Sequence, residues 1–201
     1  MINNEERNRL RDILYPIMYA INRHDKENKL QYCIGGGAVL DTLADNTVHN
    51  DFDIFLGDIT NGDYFYQILN DIGYSQIFQN DWVRRFRSYH NYIDVAHFKN
   101  FSPVEYVLNV DMTVSAVCID NDYKLYCHPD FFNDMRSRII NIKSLQNRKE
   151  AINKRMKKMQ AKGYTPTVQA KKIIQLFNSN GDYSKYLKSN IDYQTQIIDL
   201  I

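Results

Sequence analysis

Nothing in this 201-residue chain approaches the run of ~20 apolar residues that a membrane-crossing helix needs, so a membrane protein is not expected. Cysteine is scarce. Cys33, Cys118 and Cys127 are odd in number and not closely paired, which argues against a disulfide framework and for buried reduced thiols. Without a CxxC pair, a zinc site built from Cys118, Cys127 and His128 has little support. The amino terminus, MINNEERNRLRDIL, mixes charges of both signs where a secretory leader would be basic and then apolar, so a cytoplasmic protein is expected. There is no internal repeat, no low-complexity linker, no Walker-type Gly-Lys-Ser/Thr and no GxGxxG dinucleotide fingerprint.

What is present is an ordinary globular composition, 44% hydrophobic and 24% charged, long enough for one substantial core with a small appendage. The net charge of +1 conceals an asymmetry. Residues 1–147 carry 14 Lys and Arg against 20 Asp and Glu, whereas residues 148–172 carry nine basic residues and only Glu150. Such a cluster is ordinarily a solvated helix face; beside a site for a polyanion it would also serve the ligand.

Leu10, Ile13, Leu14, Ile17, Met18 and Ile21 recur at helical spacing and predict an opening helix, kinked at Pro16. LQYCI reads as a strand that ends in Gly35-Gly36-Gly37, and AVLDTLA as a short helix. DFDIFL alternates, placing Asp51, Asp53 and Phe55 on one face and Phe52 and Ile54 on the other. A helix over DYFYQILNDIG precedes strands at YSQIFQ, WVRRFRS and YIDVAHF. Ser102, Pro103 and Glu105 announce a helix at PVEYVLN, and DMTVSAVCI and YKLYC return to the sheet. After Ser144 three segments read as helical, the last being YSKYLKSNIDYQTQIIDLI. The expected fold is α+β: a small mixed sheet, largely of antiparallel hairpins and flanked by helices, over 1–143, then an all-helical region with a basic face over 144–201.

A glycine turn lets the backbone approach a ligand closely, and the start of the following helix offers unpaired N–H groups to phosphate, so Gly35, Gly36 and Gly37 are candidates to cradle a triphosphate. Asp51 and Asp53 lie ~7 Å apart on one strand face, and their repulsion is relieved if they share divalent cations. Two Mg2+ ions are expected, with Mn2+ as a substitute, one activating an attacking hydroxyl and one stabilising the leaving group. Asp94 is the expected third ligand because its same-face neighbour, Ala96, is small. In isolation a Gly-Gly-Gly turn or an Asp-x-Asp is more often a surface feature; together they are far more specific. His49, His90 and His97 read as surface or packing residues.

The order Gly36, Gly37, Val39, Asp41, Asp51, Asp53, Ile54 resembles the DNA polymerase β-type nucleotidyltransferase superfamily, and within it the head domain of class II tRNA nucleotidyltransferases and bacterial poly(A) polymerases. NVDMTVSA is similar to a second motif of that family at Asp111, Thr113 and Ala116. The likeness covers roughly residues 30–120. It implies that Gly36 and Gly37 hold nucleotide phosphates, that Asp51 and Asp53 hold magnesium, and that Asp111 and Thr113 contribute to the sugar and base. It also implies that Arg155 and Lys158 occupy the place of the family's basic helix, with Arg148 at its start, and that Asp41 is structural. The activity expected is metal-dependent transfer of NMP from an NTP to an acceptor hydroxyl, an RNA 3′ end, with release of pyrophosphate. Lys154, Arg155, Lys157, Lys158 and Lys162 could track the RNA backbone; Tyr164 could stack on a base, although a tyrosine is more often packed against its own domain. Transfer to a protein or small molecule, and a catalytically inactive nucleotide-binding module, are the alternatives.

Overall fold

The computed structural model describes residues 2–27, 29–45, 51–57, 61–89, 91–97, 101–146, 149–187 and 195–201; His49, His90 and Arg148 lie outside them. In place of one kinked helix there are two, α1 (Asn4–Ile13) and α2 (Tyr15–His24), with Pro16 in the first turn of α2, where its missing N–H costs nothing. The apolar stripe runs across the break, and Leu10, Leu14, Met18 and Ile21 are fully buried. Asn3 and Glu6 cap each other's backbone N–H groups at the start of α1, and Glu6 also accepts Arg136 Nη2 at 2.8 Å.

The chain continues through β1 (Tyr32–Gly35), α3 (Gly37–Leu43), β2 (Asp51–Leu56), α4 (Gly62–Asp71), β3 (Ser75–Gln79), β4 (Val83–Arg87), β5 (Tyr92–His97) and α5 (Pro103–Asn109). Then come β6 (Val117–Asp120), β7 (Lys124–Cys127), α6 (Phe131–Arg136), β8 (Ile139–Ile140), α7 (Lys149–Ala161), β9 (Thr165–Pro166), α8 (Val168–Asn178) and β10 (Gln196–Asp199). Among the described residues, eight strands make one sheet in the order β10-β7-β6-β1-β2-β5-β4-β3, antiparallel except for the β2–β5 pair. The α+β reading stands. The helix expected over YSKYLKSNIDYQTQIIDLI does not: its described parts are a short 3-10 turn at Ser184–Tyr186 and β10, which pairs with β7. β-branched Ile197 and Ile198 suit a strand once β7 offers an open edge.

One face of the sheet carries the main core. Ile34, Phe52, Ile54, Phe86, Ile93, Val95, Ile119 and Leu125 are buried there with Leu40 and Leu43 of α3 and Phe65 of α4. On the other face α5 covers only a small cluster, Cys33, Val107, Ala116 and Cys118, flanked by Phe55, Phe101 and Tyr106. Cys118 lies in that cluster and Cys127 in the main core, so they occupy opposite faces and do not form the zinc site considered above. All three cysteines are free thiols.

Lys143 is 5% exposed and donates to the Leu108 carbonyl at 2.6 Å; burial pulls its pKa down to about 8, partly offset by Asp111. The unfolded chain would hold this proton until about pH 10.5, so unfolding takes up a proton between those values and stability rises with pH in that window. The desolvation cost is fully present below pH 8. Urea titrations should therefore show wild type gaining roughly 2 kcal/mol more than Lys143→Met between pH 8 and 9.5. Parallel curves would place the ammonium in solvent.

Candidate active site

Strand register builds the site. Gly35 lies opposite Asp53, Asp53 opposite Asp94, and Asp94 opposite Arg85, so one row of residues crosses β1, β2, β5 and β4 on the face that α5 leaves open. The alternation read from DFDIFL holds: Phe52 and Ile54 are buried, whereas Asp51 and Asp53 are not.

The glycine turn faces this row. Gly36 has φ +64 and caps the start of α3, and a Cβ built on it would lie 3.8 Å from Asp53 Oδ2 and 3.0 Å from the Tyr106 hydroxyl. At Gly35 a Cβ would sit 2.7 Å from Tyr106 Cζ. Tyr106 therefore floors the turn, which is why both positions exclude a side chain; nothing lies within 4 Å of a Cβ at Gly37. Arg9 steadies the other end of α3, donating to the carbonyls of Thr42 at 3.0 Å and Leu43 at 2.7 Å, where a helix presents unpaired acceptors.

The acids repel one another and are only partly compensated by nearby cations. Burial, then Asp94, pushes the Asp53 carboxyl above its usual range; Lys158 opposes this, Asp51 adds to it and Arg85 opposes it. Lys158 on α7 is thus the helix cation that the carboxylate feels most. Asp94 is held by Arg85 through two hydrogen bonds, Nε to Oδ1 and Nη2 to Oδ2, both 2.6 Å. Among the described residues no three carboxylate, imidazole or thiol groups converge into a ready cage for a metal. Among the described residues Asp51 and Asp53 form no such ion pair, and Asp94 becomes available only when Arg85 withdraws.

The pair makes a prediction. Arg85→Met should lower the melting temperature of the metal-free protein by about 2–4 °C, for roughly 1 kcal/mol lost, and millimolar MgCl2 should restore more of it than in wild type. Equal magnesium responses in both proteins would mean that Arg85 does not compete for Asp94.

The other expected residues are placed as follows. Asp111 is fully buried and bound by Arg155, while Thr113 is buried and donates to Asp134. Asp41 accepts from Lys162, tying α3 to the end of α7, in keeping with a structural role. Ala96 is buried beside Asp94. Lys154 and Lys157 are exposed on α7. Tyr164 is 2% exposed with Arg138 over its ring at 5.4 Å, so it is a core residue and not a stacking platform. His97 is exposed, three residues from Asp94 and hence on the opposite face.

Two residues of the site escaped sequence reasoning. Arg85 was legible in principle, since alternation in WVRRFRS puts Arg85 and Arg87 on one face, but its pairing with Asp94 needs the hairpin register. Tyr106 left no local signal. A cavity of about 530 Å3 opens at the other end of β1, lined by Leu30, Gln31, Gly57 and Asp120 among others, away from the glycine turn. Its Asp120 is already satisfied by the N–H groups of Asp122 and Lys124 and by the Tyr126 hydroxyl.

No family model matches the chain, and no curated protein matches it by sequence. Its fold is nonetheless similar to that of solved CCA-adding and tRNA-processing enzymes. An apo form of a tRNA-processing enzyme aligns with TM-score 0.63 and 16% identity over 83% of this chain and 47% of that one. The Thermotoga maritima CCA-adding enzyme complexed with tRNA aligns with TM-score 0.56 and 16% identity, over 71% and 36%. A CCA-adding enzyme with CTP gives TM-score 0.55 and 16% identity, over 70% and 36%. The chain thus spans between about a third and a half of the length of these proteins. The likeness is one of fold.

Proposed function

We propose that the chain is a metal-dependent nucleotidyltransferase that moves NMP from an NTP to an acceptor hydroxyl, an RNA 3′ end, releasing pyrophosphate. The observation that carries this reading is the approach of the Gly36 corner to Asp53, 3.8 Å from a Cβ position to Oδ2, in a row that also holds Asp94. A bare turn leaves room for phosphate where carboxylates await cations.

The residues fit divalent magnesium. Asp51, Asp53 and Asp94 offer hard oxygen donors; desolvation first, and then the charge of Asp94, raises the pKa of Asp53, and a bound cation would offset both. Asp51 and Asp53 would hold Mg2+, or Mn2+ in its place, with Asp94 joining on release from Arg85. When bound, the metal supplies charge neutralisation at the α-phosphate and acidifies the attacking hydroxyl. The backbone of Gly36 and Gly37 approaches the phosphates, and Lys158 adds positive charge beside Asp53. Arg155, positioned by buried Asp111, flanks the same helix face. The acceptor oxygen attacks the α-phosphorus, the bond to the bridging oxygen of pyrophosphate breaks, and the protein contributes alignment and electrostatics. Exposed Lys154 and Lys157 are suited to an RNA backbone.

Neighbouring folds solved with CTP, ATP and tRNA support a nucleotide donor and an RNA acceptor. The chain spans under half of their length, and the acceptor is proposed at the level of an RNA 3′ end. A cytoplasmic setting accords with three free buried thiols. The test is incubation with MgCl2, each labelled NTP, and either total RNA or lysate protein. Label on RNA 3′ ends, lost on chelation, is expected. Label on protein instead would make the enzyme a protein-modifying one, and label on neither would leave a nucleotide-binding module.

A further inference from the structure

The row of acids does not stop at Arg85. In the β3–β4 pairing Arg85 lies opposite Phe78 and Arg87 opposite Ser75, while across β5 Arg87 lies opposite Tyr92 and Tyr92 opposite Asp51. Residues directly opposite each other share a sheet face. The face with Asp51, Asp53 and Asp94 therefore runs outward through Tyr92, Arg85 and Arg87 to Phe78 on the edge strand. Phe78 is 52% exposed, Arg87 is exposed, and the Arg87 guanidinium lies over the Tyr92 ring at 5.6 Å. Trp82, in the turn between the two strands, is 68% exposed.

An edge strand ordinarily protects itself with charge, and β3 has a bulge at Ile77 that serves this end. It does not account for an uncovered phenylalanine on the site face, two strands from the carboxylates. Cations alternating with aromatic rings are what single-stranded nucleic acid requires: rings stack on bases and guanidinium groups pair with phosphates. The dimensions agree. Two strand spacings put Phe78 about 10 Å from Asp94, the length of roughly three stacked nucleotides.

We propose that the β3–β4 hairpin is the shelf that receives the single-stranded 3′ end of the RNA acceptor, with a base stacked on Phe78 and a phosphate on Arg87, delivering the terminal hydroxyl toward Asp94. This rests on the nucleotidyl-transfer reading for its direction. It adds a place for the last bases of the acceptor, on the hairpin, beside the backbone contacts proposed for α7.

Both side chains are solvent-facing, so their removal leaves the core intact. Fluorescence anisotropy with a labelled short single-stranded oligoribonucleotide, without NTP or metal, reads the shelf directly. Phe78→Ala should weaken binding on the order of tenfold, and Arg87→Gln should reduce the slope of log affinity against log salt by about 0.7. A blunt RNA duplex should bind equally to wild type and Phe78→Ala, because paired bases offer no free face to the ring. Wild-type affinity and salt slope in both variants, equal loss for the duplex, or no binding by wild type would each overturn the proposal. So would a change confined to self-association on a sizing column, which would assign the hairpin to protein contact. If NTP transfer is absent while single-strand binding still depends on Phe78 and Arg87, the catalytic reading fails and the shelf stands.

Discussion

On the proposed reading, Asp53→Asn should lower nucleotide transfer on the order of 10³-fold while the melting temperature of the metal-free protein holds or rises. The two halves have one cause. Asp53 is partly desolvated and stands beside Asp94 and Asp51, so its charge is unfavourable in the metal-free fold. An isosteric amide removes that repulsion but offers a far weaker ligand to a hard cation. Activity is read as labelled NMP incorporated, and stability by calorimetry with and without MgCl2. Wild type should gain more from magnesium than the variant. A variant with undiminished turnover would remove Asp53 from the chemistry, and an equal magnesium gain would remove it from metal binding.

Gly36→Ala is the second large effect. Its φ of +64 is a conformation that residues with a Cβ rarely adopt, and the added methyl would meet the Tyr106 hydroxyl at 3.0 Å. The backbone strain costs about 1–3 kcal/mol. Because the methyl also points toward Asp53 Oδ2, into the space proposed for phosphate, transfer should fall with a rise in KM for NTP. The companion variant Gly36→Ala/Tyr106→Phe relieves the contact with the hydroxyl but leaves the φ and the methyl in the mouth. It should recover some stability and little affinity. Full recovery of nucleotide affinity would show that the corner does not face the phosphates. Gly37→Ala, with nothing within 4 Å of its Cβ, is the control and should change stability least.

Much of the fold is written in local pattern. The period-2 alternation of DFDIFL, the Ser102–Pro103 helix start and the glycine stop after LQYCI all give elements close to those observed. Failures fall where local and tertiary preference diverge. The segment around Gln196–Asp199 is short and ambiguous by periodicity, and it became a strand only because β7 had an unpaired edge to extend. Tyr164 takes the commoner of its two readings, packing rather than stacking, because the junction of α7 and β9 buries it. Tyr106, which shapes the glycine corner, is one of 15 tyrosines and nothing nearby in the chain distinguishes it.

By itself the order of residues determined that a side-chain-free turn is followed by two carboxylates on one face of a strand, because glycine geometry and the two-residue period are properties of the local backbone. Only the folded sheet decided what stands opposite those carboxylates. Register across β1, β2, β5, β4 and β3 brings Asp94, Arg85, Arg87 and Phe78 into one surface, and register is set by long-range burial of the alternating apolar face. A slip of one residue on β5 would leave every local motif intact and turn Asp94 into the core.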